Sequence, residues 1–209
     1  MSSYLVPNVV EHTPRGDRSS DLFSRLLGER IVFVGTPIDD DVANVVIAQL
    51  LHLAAESSER DIHVYVNSPG GDLSATLAIY DAMQHVKPEV ATLCVGQATA
   101  TAAILLTAGA HGKRAILPHG RVLLVQPHVG ASRGSISDLA VEADEVARMR
   151  TQTEEILARH TGNTAEDIRA DTDRALVLSG QAAVDYGLVD EVLEPGALRG
   201  EQAGRAGAT

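Results

Sequence analysis

Apolar residues along the chain follow two rhythms. Short runs such as "RIVFV" (30–34), "DIHVYV" (61–66), "ATLCV" (91–95), "RAILP" (114–118) and "RVLLVQP" (121–127) predict buried strands, and "LVDEVL" (188–193) predicts the last one. Between them the spacing switches to threes and fours. "DLFSRLLGER" sets Leu22, Phe23, Leu26 and Leu27 on one helical stripe that ends at Gly28. "DDDVANVVIAQLLHLAAES" opens with acids, which suit a helix N-terminus, and carries Val42, Val45, Val46, Gln49 and Leu53 at helical spacing. "LSATLAIYDAMQHV" predicts a helix halted near Pro88, and "TATAAILLTAGA" a very apolar one ending at Gly109. A long charged helix follows over "SISDLAVEADEVARMRTQTEEILARHTG". "TAEDIRADTDRA" starts like a capping box, with Thr164 at the N-cap and Asp167 at N3. "QAAVDYG" is a last helix with a glycine stop. Strands alternating with helices predict an α/β fold with largely parallel strands. The tail "EPGALRGEQAGRAGAT" is small and polar and is expected to fray.

Composition narrows the picture. The chain has 209 residues, enough for one domain with a substantial core, and 44% of them are hydrophobic. A net charge of −11 argues against a nucleic-acid surface. No apolar run is long enough for a bilayer, and "MSSYLVPNVVEHTPRGDR" lacks the basic head and apolar centre of a signal peptide. The single cysteine, Cys94, excludes an internal disulfide, fits a reducing cytoplasm, and reads as core packing.

Two glycine-bearing segments, "VNSPGGD" and "CVGQAT", follow apolar strands and precede helices. Read as turns, each would present backbone N–H groups that can stabilise a developing oxyanion, although tight-turn geometry alone also explains Gly70 and Gly71. No phosphate loop occurs. The eight histidines show no convincing metal spacing.

From "LVPNVVEHTPRGDRSSDLFSRLLGERIVFVG" through "VNSPGGD", "IYDAMQ", "GQATATAAILLTAGAHGKR", "LPHGRVLLVQP" and "HTGNTAEDIRADTDRA" to "AVDYGLVDEVL", the chain closely resembles the proteolytic subunit of the bacterial Clp protease, a serine peptidase family. The resemblance implies a crotonase-like spiral of β-β-α units with a protruding handle helix at about 135–160. It also implies an N-terminal axial-loop segment (1–18), a proteolytic-subunit domain (19–194), and a tail (195–209). Seven subunits would form a ring and two rings a closed chamber in the cytoplasm, with no cofactor, metal, nucleic acid or membrane.

The family's triad positions fall on unreactive residues. In the family pattern "GQA-x-S-M-G-A" carries the nucleophile, and the serine position here is Ala100. "I-H-Q-P" carries the base, and its histidine position is Val125. The acid of "D-T-x-R-D" falls on Ala175. Alanine has no nucleophile, valine no lone pair, and Ala175 nothing to orient an imidazole. Thr101, His128 and Val129 also depart from the pattern, which fits drift better than a designed knock-out. Only Met1, Ser2, Ser3 and Tyr4 precede the mature-like start, so no propeptide of useful length is expected. Other matching features persist. Gly71 and the N–H of Thr101 match the oxyanion hole, and Asp173 and Arg174 match a ring-to-ring charged pair. His63, Tyr65, His85, Leu93, Val95, Leu117 and Leu193 match an ATPase-docking face on which His63 and His85 replace aromatics.

The expected function is a non-catalytic subunit that builds or modulates the barrel with an active paralogue, the Clp ATPase docking on the partner's ring. Three alternatives remain open. The chain could be a peptidase using Thr99 or Thr101, with His128 as the nearest candidate base. It could be an oligomeric binding protein that captures a peptide or small molecule in the empty site. A crotonase-type acyl-CoA enzyme would share the fold.

Overall fold

The computed structural model describes residues 7–13, 16–126 and 135–194. The chain opens with a hairpin, β1 (Asn8–Thr13) antiparallel to β2 (Gly16–Asp21), followed by α1 (Leu22–Gly28). Then come β3 (Ile31–Val34), α2 (Asp40–Glu56), β4 (Ile62–Ser68), α3 (Leu73–His85), β5 (Val90–Thr99) and α4 (Thr101–Thr107). The second half contains β6 (Arg114–Ile116), β7 (Arg121–Leu124), α5 (Ile136–Thr161), α6 (Ala165–Thr172), β8 (Leu176–Ser179), α7 (Gln181–Asp185) and β9 (Glu191–Val192).

The α/β class and the parallel pairing are as expected. One sheet runs β3-β4-β5-β6-β9, all parallel, and β7 also pairs with β5 in parallel. β8 returns antiparallel to β7. At ten residues, β5 is long enough to hold two partners in succession on one edge, β6 against Thr92–Cys94 and β7 against Gln97–Thr99. "CVGQAT" is therefore strand rather than turn. Gly96 sits against the Asn67 side chain, which a Cβ would push aside, and the register shifts between Val66 and Ser68.

Helix faces depart from expectation in an informative way. α2 buries Ala43, Val46, Leu50 and Leu53, a face rotated from the predicted stripe. Leu50 and Leu53 are fully enclosed, which contributes roughly 1.5–3 kcal/mol each. Val42 and Val45 instead line an open groove with Phe23 and Phe33, whose ring centroids are 6.2 Å apart. No residue of α1 is fully buried: Leu27 packs half-buried against the core, while Leu22 and Phe23 stay exposed on the single chain. α5 begins at a full capping box between Ser135 and Asp138 and ends at Gly162 with φ 81°. No residue from Ser137 to Gln152 is buried, whereas Thr153, Glu154, Ile156, Leu157 and His160 are. Among the described residues, the helix thus projects from the body and is anchored by its last turns. The expected tail lies outside the described residues.

Two buried arginines hold the layers together. Arg30 donates to the carbonyls of Leu53, Ser57, Arg60 and Asp61, closing the C-terminal end of α2 onto the sheet. Arg114 grips both carboxylate oxygens of Asp190, at 2.6 Å and 3.1 Å, and donates to the carbonyls of Thr107 and His160. Burial alone would raise the Asp190 pKa, but the Arg114 hydrogen bonds outweigh it and hold the carboxyl below its ordinary value.

Candidate active site

The site is built around one strained residue. β5 ends at Thr99, α4 begins at Thr101, and the chain reverses through Ala100 at φ 51°, ψ −120°. Among the described non-glycine residues only Arg30 shares a positive φ. The turn is pinned on both sides: Ala100 N donates to Leu123 O at 2.8 Å, and Ala100 O accepts from Ala103 N at 3.1 Å. Every residue of α4 is buried, so the helix cannot shift to relieve the strain. Such a conformation costs roughly 1–3 kcal/mol in a residue with a Cβ.

β7 and β8 bring the other two predicted positions to the same end of the sheet. Thr99 pairs with Leu123, and Leu124 pairs with Leu176. Val125 directly follows Leu124 and Ala175 directly precedes Leu176, so the register sets them side by side just beyond the Ala100 turn. Val125 is half-buried and Ala175 exposed. Pairing alone thus gathers Ala100, Val125 and Ala175. Across the gap, the Gln126 side-chain amide donates to Asp173 at 2.8 Å. Arg174 is exposed and forms no ion pair among the described residues. His128 and Val129 lie outside the described residues.

The "NSPGGD" turn supplies the facing wall. Gly70 has φ 84°, and Gly71 lies in bridge contact with Ile38 so closely that a Cβ would collide with the Ile38 backbone. Both glycines are sterically required, as the turn reading held. The turn also brings Gly71 to Thr101, though not as two open amides. Gly71 N–H donates to the Thr101 hydroxyl at 3.0 Å. Thr101 is 7% exposed, and its Oγ1 lies 3.0 Å from Thr76 Oγ1, which is itself 2.7 Å from Asp72 O. Sequence reasoning missed Thr76, because nothing local links positions 25 residues apart. Thr99 Oγ1 is buried and finds no hydrogen-bond partner among the described residues. Cys94, further back on β5, is fully buried, and burial pushes its thiol up to about 11, which makes it inert.

On the sheet face away from α2 and α3, His63, Tyr65, Leu93 and Leu193 line a common groove of about 380 Å³ with Ala91 and Ala115. The register Tyr65–Leu93–Ala115 across β4, β5 and β6 creates it. Val95 and Leu117 are half-buried and His85 is exposed at the end of α3; none of the three lines this groove. Among the described residues no cluster of three or more metal-ligating side chains occurs, and no helix is long and apolar enough to cross a membrane.

A strand that turns through one strained residue into a buried helix, with a glycine amide facing the turn, has the shape of a serine-hydrolase nucleophile elbow. The alanine on it makes the frame and the chemistry separate questions. Residues 14–196 match the sequence profile of the Clp protease family, and the chain belongs to that family. It is 56% identical over 193 residues to an "ATP-dependent Clp protease proteolytic subunit 4" of Rhodococcus jostii, covering 92% of this chain and 99% of that one. It is 56% identical to a proteolytic subunit 2 of Streptomyces avermitilis (92% and 96% covered). It is 54% identical to a proteolytic subunit 1 of Nocardia farcinica (93% and 99%).

Proposed function

We propose that this chain is a non-catalytic subunit of an ATP-dependent Clp protease assembly, building or modulating a barrel of heptameric rings with an active paralogue in cytoplasmic protein degradation. The observation that carries this reading is the convergence of Ala100, Val125 and Ala175 beside an otherwise intact elbow. None of the three can attack, accept a proton or orient a base. Loss of such a triad lowers turnover about a million-fold and leaves roughly 10³–10⁴ over the reaction in water. The parts suited to assembly persist: a projecting α5, the exposed apolar residues Leu22 and Phe23 on α1 and Val45 and Leu51 on α2, and the exposed Asp173–Arg174 corner.

The Thr101 alternative is weakened by its surroundings, since that hydroxyl is buried and already bonded to Gly71 and Thr76. A threonine needs an adjacent base to attack, and no described residue supplies one. His63 stands in the groove at a position where an aromatic would give more apolar area, which favours docking of the ATPase on the partner's ring.

The test is direct. The purified chain should hydrolyse no fluorogenic peptide and take no fluorophosphonate label, yet assemble with an active paralogue into double rings visible by native mass spectrometry. Stoichiometric labelling of any serine or threonine would overturn the proposal. So would a chain that never enters a mixed ring.

A further inference from the structure

We infer that Thr101 closes the oxyanion hole of this chain from within, so that catalysis is blocked at a fourth position besides the three triad positions. This rests on the reading of Gly71 as an oxyanion donor. The Gly71 N–H that would have to meet a developing oxyanion is already bonded to Thr101 Oγ1 at 3.0 Å. The bond belongs to a network that joins Gly71, Thr101, Thr76 and Asp72. Thr76 Oγ1 lies 2.7 Å from the Asp72 carbonyl, one turn back in its own helix, and its single proton is shared between that carbonyl and Thr101 Oγ1. Thr101 Oγ1, 3.0 Å away, accepts from Thr76, and its own proton faces the Gly71 carbonyl at 3.5 Å. Its second lone pair accepts from Gly71 N–H. Gly71 N–H and Thr76 O–H thus converge on one oxygen, Thr101 Oγ1.

Thr101 is 7% exposed and Thr76 fully buried, so water competes poorly at the two hydroxyls, while Gly71 itself is exposed. To bind an oxyanion, Gly71 would have to exchange its bond to Thr101 for one to substrate, leaving a buried hydroxyl lone pair unsatisfied. A side chain without an oxygen at position 101 imposes no such exchange. The closure is therefore specific to threonine or serine here. It lowers the residual catalysis that a triad-deficient site keeps through its oxyanion hole by withholding one of its two donors.

The experiment uses the assembled full-length chain. Thr101→Val keeps the shape and removes the oxygen; Thr101→Ser keeps the oxygen; Thr101→Ala serves where valine packs poorly. Amide hydrogen exchange at Gly71, an exposed residue, should quicken at least tenfold in the valine or alanine variant and stay unchanged in the serine variant. In a chain carrying Ala100→Ser, Val125→His and Ala175→Asp, adding Thr101→Val should raise kcat about 100-fold, the effect of restoring one oxyanion donor. Unchanged Gly71 exchange in the valine and alanine variants overturns the inference, as does equal, measurable turnover with Thr or Val at 101. If the rebuilt triad stays silent in both, the exchange result decides alone. Peptide hydrolysis by the unmodified chain would defeat the non-catalytic reading instead, without altering the exchange readout.

Discussion

Ala100→Gly should stabilise this protein slightly, against the usual direction of an alanine-to-glycine change. At φ 51°, ψ −120° the alanine Cβ crowds its own backbone, and relieving that strain is worth about 1–2 kcal/mol. Two terms oppose the gain. Glycine has more freedom to lose on folding, about 0.5–1 kcal/mol, and removal of a half-buried methyl forfeits roughly 0.4 kcal/mol of burial. The balance is a gain of about 0.5 kcal/mol. Ala78, exposed in the interior of α3, provides the reference, because its helical backbone suits alanine and Ala78→Gly should cost about 1 kcal/mol. The two variants should therefore differ by about 1.5 kcal/mol, or roughly 3–6 °C in Tm for a chain of this size. Urea unfolding followed by circular dichroism, at one fixed protein concentration so that assembly contributes equally, would measure the difference. If Ala100→Gly destabilises as much as Ala78→Gly, the elbow is not strained. An active-site backbone has then not outlived its nucleophile here.

Two further outcomes concern the anchor of α5 and the corner beside Ala175. Glu154 is 3% exposed and accepts from Arg150 at 2.8 Å and from Arg169 at 2.6 Å, tying α5 to α6. Glu154→Ala should cost about 1–3 kcal/mol, below the 3–5 of a fully buried pair, because both guanidinium groups can turn to water. Burial alone would raise the Glu154 pKa, but the bonds from Arg169 and Arg150 outweigh it and hold it below the ordinary glutamate value. The pair's contribution is therefore complete above the unfolded value of about 4.3 and fades as pH falls through the lower folded value. Urea midpoints of wild type and variant should converge on acidification, and a constant gap would contradict the assignment. Arg174→Glu, at an exposed position, should shift monomer stability by less than about 0.5 kcal/mol yet weaken double rings in sedimentation; unchanged double rings would remove its assembly role.

Much of this protein is legible in the sequence because its determinants are local. Runs such as "DIHVYV" and caps such as Ser135–Asp138 act within a few residues, so the α/β order and the long α5 could be read directly. Ala100, Val125 and Ala175 could be named because their surrounding motifs are short and contiguous. Tertiary structure decided what depends on distant partners. β8 is brief and half-exposed, and it is a strand only because β7 lies beside it. "CVGQAT" continues as strand because β4 and β7 flank it, overriding the turn preference of Gly96. The burial face of α2 was set by what packs on it, since residues on two of its faces are apolar and periodicity cannot choose between them. The same limit hid the Thr101–Thr76–Gly71 network. A hydroxyl has no sequence signature for the amide it will meet, and the three residues come together only when the β4–α3 turn folds against the start of α4.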